Sequence, residues 1–299
     1  MKIYSDVNII RKQLEQSIDK FGYSPDHNLD WLIYCSDEGD PNVAMWDDGS
    51  IIWFYRNTLG RCSVLCDPIS LIPGQEEILR EFIDYALQNC DSCEFIDVRD
   101  GVRNIIDKLY PNKIKPDYEI IWPVVDIQSF DPLLPSGHFK DLRNALHKFN
   151  REHVMTVQST ADIPVSDLHN IVDRWFQNRA LIGIEVLPGR YHKMIDNGFR
   201  GTKSSRVMFV DGHPAGFNAG WETPNNPVEW SASIGIHDYS VKDLGIILMH
   251  EDLAWIKNAG YRTCDLEGSE LKALKFKTQF FNECKTYKTY TFNLENSGR

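Results

Sequence analysis

Three ionisable residues in the last 35 positions stand close enough in sequence to share one chemistry. Asp265 and Glu267 alternate along a strand-like segment, which predicts that both carboxylates project from one face. Such a pair could orient an attacking amine or take its proton. Lys277 lies on the next helical segment, one residue after Phe276. A lysine there could steady a phosphate or a developing negative charge. The competing reading is surface charge: an acidic strand end and a solvated lysine on an amphipathic helix.

Other residues could hold a ligand in place. Lys140, Arg143, Lys148 and Arg151 recur at spacings of 3, 5 and 3 along a basic helix. They could track phosphates, or simply form a solvated face. Trp221 and Trp230 could line a substrate pocket, with core packing as the alternative. Metal sites are not expected. His250-Glu251 opens a zincin-like motif, but Ala254 stands at the second ligand position. Cys62, Cys66, Cys90 and Cys93 have spacings near those of zinc ligands, yet the first two sit on an apolar strand, where a thiol serves as a small hydrophobe. His138, His147, His153, His169 and His192 make no ligand pair on one helix face, so scattered surface histidines are expected. No glycine-rich dinucleotide loop, P-loop or nucleophile elbow is present.

The elements that must position these residues alternate between helix and strand. Helices are predicted over about 6–22, 75–88, 102–109, 139–153, from 166, 190–197, 244–259 and 270–281. Strands are predicted near 31–36, 43–46, 51–55, 61–66, 95–98, 119–125, 154–158, 206–210, 215–221, 229–236, 263–266 and 287–292. Asp211-Gly212 marks a hairpin turn, and Gly260 ends a helix. Breakers crowd residues 126–137 and suggest a boundary. Each half shows a hairpin, a helix, a strand, a helix and a last strand, an order that fits an α+β fold with mixed sheets.

Length and charge agree with two modules. The chain has 299 residues and a net charge of 32 − 43 = −11. Residues 1–135 carry −12, residues 136–206 carry +4 and residues 207–299 carry −3. That balance disfavours a duplex-DNA binder but leaves a basic middle for an anionic partner. An odd count of seven cysteines argues for reduced, metal-free thiols and a cytoplasmic setting. No stretch approaches about 20 apolar residues, so no transmembrane segment is expected.

Several segments carry a family resemblance. Val64-Leu65-Cys66-Asp67-Pro68-Ile69 is similar to an apolar strand ending in Gly-Asp-Pro, with Cys66 in place of the glycine. Lys140 to Arg151 resembles a basic helix that opens a second unit, and Asp211 to Phe217 resembles a central hairpin. Asp265-Leu266-Glu267-Gly268 stands where an Asn-Leu-Gly is usual, and Phe276-Lys277 with Phe280 matches Phe-Lys-x-x-Phe. In these segments the chain resembles the C-terminal domain of phosphatidylglycerol lysyltransferases and, more distantly, the Fem-type peptidyltransferases. The resemblance implies two tandem GNAT-like (acyl-CoA N-acyltransferase-like) domains, at 1–128 and 136–299, the second catalytic.

It also implies acyl transfer from aminoacyl-tRNA to an amine or hydroxyl on a small molecule, peptide or lipid headgroup, with no cofactor required. Lys277, Asp265 and Glu267 would then be catalytic. Lys242 and Gly245 would join Lys140, Arg143, Lys148 and Arg151 in binding the donor. The alternatives are a CoA-dependent N-acyltransferase, using acetyl-CoA or another acyl-CoA, and a degenerate GNAT pair that only binds. Lys242-Asp243-Leu244-Gly245-Ile246-Ile247 keeps one glycine of the CoA loop but places Ile247 where a small residue lets phosphate approach. A helix N-terminus there still attracts an anion.

Overall fold

The computed structural model describes residues 1–36, 39–57, 60–181, 186–269 and 271–295. The first half runs β1 (Lys2–Tyr4), α1 (Arg11–Phe21), α2 (Leu29–Cys35), β2 (Pro41–Met45), β3 (Ile51–Arg56) and β4 (Arg61–Val64). It continues through α3 (Gln75–Asn89), β5 (Ser92–Arg99), α4 (Asp100–Leu109) and β6 (Ile114–Asp126). A connecting segment holds α5 (Lys140–Glu152). The second half then repeats the order: β7 (Met155–Ser159), α6 (Val165–Leu181), α7 (Gly189–Asp196), β8 (Ser204–Val210), β9 (His213–Thr223) and β10 (Asn226–His237). It ends with α8 (Leu244–Asn258), β11 (Thr263–Asp265), α9 (Leu271–Thr278) and β12 (Lys285–Glu295). The expected start of the last helix at residue 270 lies outside the described residues.

The strands form one mixed sheet in the order β1-β2-β3-β4-β5-β12-β6-β11-β10-β9-β8-β7. Exchanging each strand for its counterpart in the other half returns this order reversed. The halves are thus related by a pseudo-twofold, and each lends its last strand to the other. β12 sits between β5 and β6, and β6 sits between β12 and β11. The two exchanged strands pair antiparallel from Ile114 opposite Leu294 to Val124 opposite Lys285. The halves therefore share one sheet.

Helices cover both faces of this sheet and bury four apolar clusters. Ile78, Leu79, Phe82, Ile83 and Ala86 of α3 follow helical spacing and pack on one face of the first half. α8 and α5 cover the matching face of the second half. The predicted strand at 31–36 is instead helix α2. The side chain of Asn28 caps it by accepting from the Trp31 N–H at 3.1 Å. Leu29 and Leu32 enter the first half's core while Trp31 and Tyr34 enter the second's. Both sides being buried, the run shows no helical period.

The turn signals act as expected: Asp211 and Gly212 take φ of 52° and 82°, and Gly260 takes 92°. Gly220 has a different reason. A Cβ there would lie 2.3 Å from the Ser231 carbonyl oxygen and 2.8 Å from the Trp230 ring. Gly220→Ala is expected to lower unfolding free energy by about 1–3 kcal/mol through overpacking. Urea unfolding checks this, and an unchanged midpoint would contradict it.

Candidate active site

Strand splay opens the site. β10 and β11 run parallel only where Glu229 to Ser231 oppose Thr263 to Asp265. β11 then stops, while β10 continues to His237. A cavity of about 190 Å³ fills the gap. Its walls are mainly apolar, including Trp175, Ile234, Ile236, Leu248, Leu253 and Phe276. Gly245, in the first turn of α8, closes one side because a Cβ would lie 2.8 Å from the His237 ring. Burial pushes that imidazole down to about 4, aided by Arg179, so it is neutral.

The three residues singled out for chemistry do meet, with a geometry the strand pattern did not predict. Asp265 ends β11 and is buried. It accepts hydrogen bonds from the Tyr287 hydroxyl and from the Glu267 N–H, both at 2.8 Å. Burial raises its carboxyl to about 6. Glu267 lies beyond the strand with φ of 65°, so it does not share a strand face with Asp265. Its backbone is held on both sides: its N–H by Asp265, its carbonyl by Lys277 Nζ at 3.1 Å. Lys277 Nζ also donates to the Gly268 carbonyl at 3.3 Å.

Among the described residues, the Glu267 carboxylate accepts no hydrogen bond and makes no ion pair closer than 4 Å. Burial raises it to about 7, against the pull of Lys277 and with the push of Asp265. Burial likewise lowers the Lys277 ammonium, which Glu267 and Asp265 oppose. Phe276 faces the cavity and is 38% exposed, while Phe280, beyond the helix end, is buried, so the two do not anchor one helical face.

A second cavity, of about 430 Å³, lies on the other side of Glu267. Glu267 lines both. The larger cavity spans the two halves. β5 supplies Glu94 and Asp97, β6 supplies Tyr118 and Trp122, α2 supplies Trp31, and α7 supplies Arg190. Its floor is a buried polar network. Thr289 Oγ1 accepts from Trp122 Nε1 at 2.8 Å and donates to Asp97 at 3.1 Å. Below it, Arg99 stacks on the Tyr287 ring at 4.5 Å and donates its backbone N–H to Asp67.

The remaining expected site residues are placed elsewhere. Trp221 is core: its N–H donates to the Pro25 carbonyl at 2.8 Å, joining the halves. Trp230 packs against Trp255 and Tyr261 and lines neither cavity. Lys140, Lys148 and Arg151 are exposed on α5, away from both cavities. Arg143 is engaged by the Leu134 and Ser136 carbonyls. Lys242 is exposed and lines neither cavity. The α8 start is also less open than a phosphate cradle. Leu244 N–H donates to Val241, and Ile246 and Ile247 N–H both donate to the Asp243 carbonyl.

Sequence reasoning missed Asp26, Trp31, Asp97, Trp122 and Arg190, and Tyr191 in the wall of the smaller cavity. One signal was available: Asp97 interrupts an apolar run, Phe95-Ile96-Asp97-Val98, where a charge needs a reason. The seven cysteines are free thiols, and no group of three or more His, Cys, Asp or Glu among the described residues could hold a metal ion. No described helix is long and apolar enough to cross a membrane.

A conserved protein of unknown function from Bacteroides thetaiotaomicron aligns at a TM-score of 0.74 and 13% identity, covering 99% of this chain and 100% of that one. L-PGS from Bacillus licheniformis aligns at 0.68 and 16% identity, over 94% of this chain and 90% of that one. A tandem GNAT protein from the clavulanic acid biosynthesis pathway aligns at 0.56 and 11% identity, over 98% of both. At such identities these matches speak for the fold: a mixed α+β arrangement of tandem GNAT type. No curated protein sequence matches the chain. The profile of phosphatidylglycerol lysyltransferase C-terminal domains matches residues 23–284. That span is most of the chain, which therefore belongs to the phosphatidylglycerol lysyltransferase C-terminal family.

Proposed function

We propose that the protein transfers an aminoacyl group from aminoacyl-tRNA to an amine or hydroxyl, through two GNAT-like units at 1–128 and 136–299. Its fold and family support an acyltransferase. One observation carries the finer reading: two cavities meet at the Glu267 carboxylate, which has no hydrogen-bond partner among the described residues. The donor's acyl group enters the splay between β10 and β11, and the acceptor enters the larger cavity. Glu267, raised to about 7, takes the proton of the attacking amine or hydroxyl. A new C–N or C–O bond forms at the acyl carbon, the ester C–O bond breaks, and the departing ribose oxygen takes up a proton. Lys277 stabilises negative charge on the reacting oxygens. Asp265 is a positioning residue, since its carboxylate is occupied by Tyr287 and the Glu267 N–H. Holding both reactants at one carboxylate supplies much of the rate.

The α8 start favours an ester donor over CoA. The first-turn amides of Leu244, Ile246 and Ile247 are already paired, and Asp243 adds negative charge beside it. Lys140, Lys148 and Arg151 of α5, which packs against α8, are offered as phosphate contacts for the tRNA. The test is transfer of labelled acyl groups from a mixed aminoacyl-tRNA pool, set against acetyl-CoA, with a mixed amine and polyol acceptor pool. The expected result is product from aminoacyl-tRNA alone. Product from acetyl-CoA alone would move the donor to the CoA reading, and product from neither would favour a binding module.

A further inference from the structure

The two cavities differ in kind, and the difference bears on the acceptor. The donor-side cavity is mainly apolar. The larger cavity carries four carboxylates, Asp26, Glu94, Asp97 and Glu267, against two guanidiniums, Arg61 and Arg190. Glu94 is satisfied by Arg61 at 3.0 Å and the Ser63 hydroxyl at 2.7 Å. The other three are short of donors. Among the described residues, Asp26 accepts one hydroxyl at 3.3 Å, Asp97 accepts one at 3.1 Å, and Glu267 accepts none. An ionised carboxylate can accept about four hydrogen bonds. The cavity therefore holds a surplus of acceptors, and the aromatic side chains of Trp31, Tyr118 and Trp122 line it as well.

We infer that this cavity binds the ammonium group of a primary-amine acceptor, rather than an anionic phosphate headgroup. An ammonium brings one positive charge and three donors for the unused acceptor capacity of these three carboxylates. Aromatic walls add cation–π attraction. A phosphate monoester or diester would instead meet carboxylates that repel it. Burial holds Asp26, Asp97 and Glu267 above their ordinary range, with neighbouring carboxylates adding to the rise at Asp26 and Glu267, and the pull of Arg99, Arg190 and Lys277 only partly offsets it. Asp26 and Asp97 hold the cation; before attack the ammonium gives one proton to Glu267, at the junction, and the second proton, lost as the C–N bond forms, goes to the departing ribose oxygen. This assignment rests on the transfer reading for its chemistry but not for its binding test.

That test is calorimetric titration of the full chain, without donor, using three probes: cadaverine, its neutral analogue 1,5-pentanediol, and glycerol 3-phosphate. Cadaverine is expected to bind at least about tenfold tighter than 1,5-pentanediol, with no detectable binding of glycerol 3-phosphate. Asp97→Asn should keep the hydrogen bond from Thr289 and weaken cadaverine binding about tenfold or more, leaving 1,5-pentanediol unchanged. Equal affinity for cadaverine and the diol, or glycerol 3-phosphate binding as tightly as cadaverine, would overturn the assignment. Should Asp97→Asn fail to fold, the three probes on the unaltered protein decide the question alone. Transfer to a hydroxyl acceptor with no cadaverine binding would sink this assignment and spare the transfer reading. Cadaverine binding with no transfer to any acceptor would do the reverse.

Discussion

Glu267→Gln is expected to lower turnover by about 10²–10⁴-fold, the range for loss of a general base. Glutamine keeps the shape and the backbone bonds to Asp265 and Lys277 but cannot accept the proton. The pH profile gives the sharper signature. The base works only when ionised, so kcat/KM of the unaltered protein should rise with pH through about 7. At pH 6 it should stand roughly tenfold below its plateau. Glu267→Gln should lose that rise. Stability moves the other way. The folded carboxyl is raised above its unfolded value near 4.3, so ionisation opposes folding progressively from about pH 4 to 7 and fully above it. Glu267→Gln should therefore melt no earlier than the unaltered protein at pH 8. A variant that is inactive because it is unfolded would show the opposite.

Lys277→Ala should cost about ten- to a thousandfold in turnover, as for a lost electrostatic stabiliser. Its ammonium bridges the Glu267 and Gly268 carbonyls and pulls the Glu267 carboxyl down. Removing it should therefore raise the Glu267 value above 7 and shift the acid limb of kcat/KM to higher pH. Lys277→Arg should recover part of the rate and most of the shift, because charge returns while the compact three-donor geometry does not. A fall in turnover with an unmoved pH profile would mean that Lys277 acts only by holding the loop. Unchanged turnover would deny it any part in the transfer step.

Much of the fold was legible because most helices bury one face. The stripes of α1, α3 and α6 and the turn at Asp211-Gly212 carry their structure in local spacing. α2 was misread because both its sides are buried, which erases the period. The exchange of β6 and β12 leaves no local trace at all: Ile114 and Leu294 pair across 180 positions through backbone hydrogen bonds that no side-chain pattern encodes. At the site, Asp265, Glu267 and Lys277 were found by residue type, but their geometry depends on Glu267 turning left-handed after the strand ends. Trp221 and Trp230 drew attention as large aromatics, and packing claimed both. The acidic cavity was hidden because Asp26, the β5 pair Glu94 and Asp97, and Glu267 come from three distant segments that only the fold brings together.

The proposed transfer requires one carboxylate, that of Glu267, to join two substrates. The most direct measurement is single-turnover transfer from charged tRNA to cadaverine, followed by mass spectrometry of the product, in the unaltered protein and in Glu267→Gln at pH 8. The account predicts a new amide in the first and at least a hundredfold slower formation in the second, with both proteins equally folded. Equal rates of amide formation in the two proteins would contradict it.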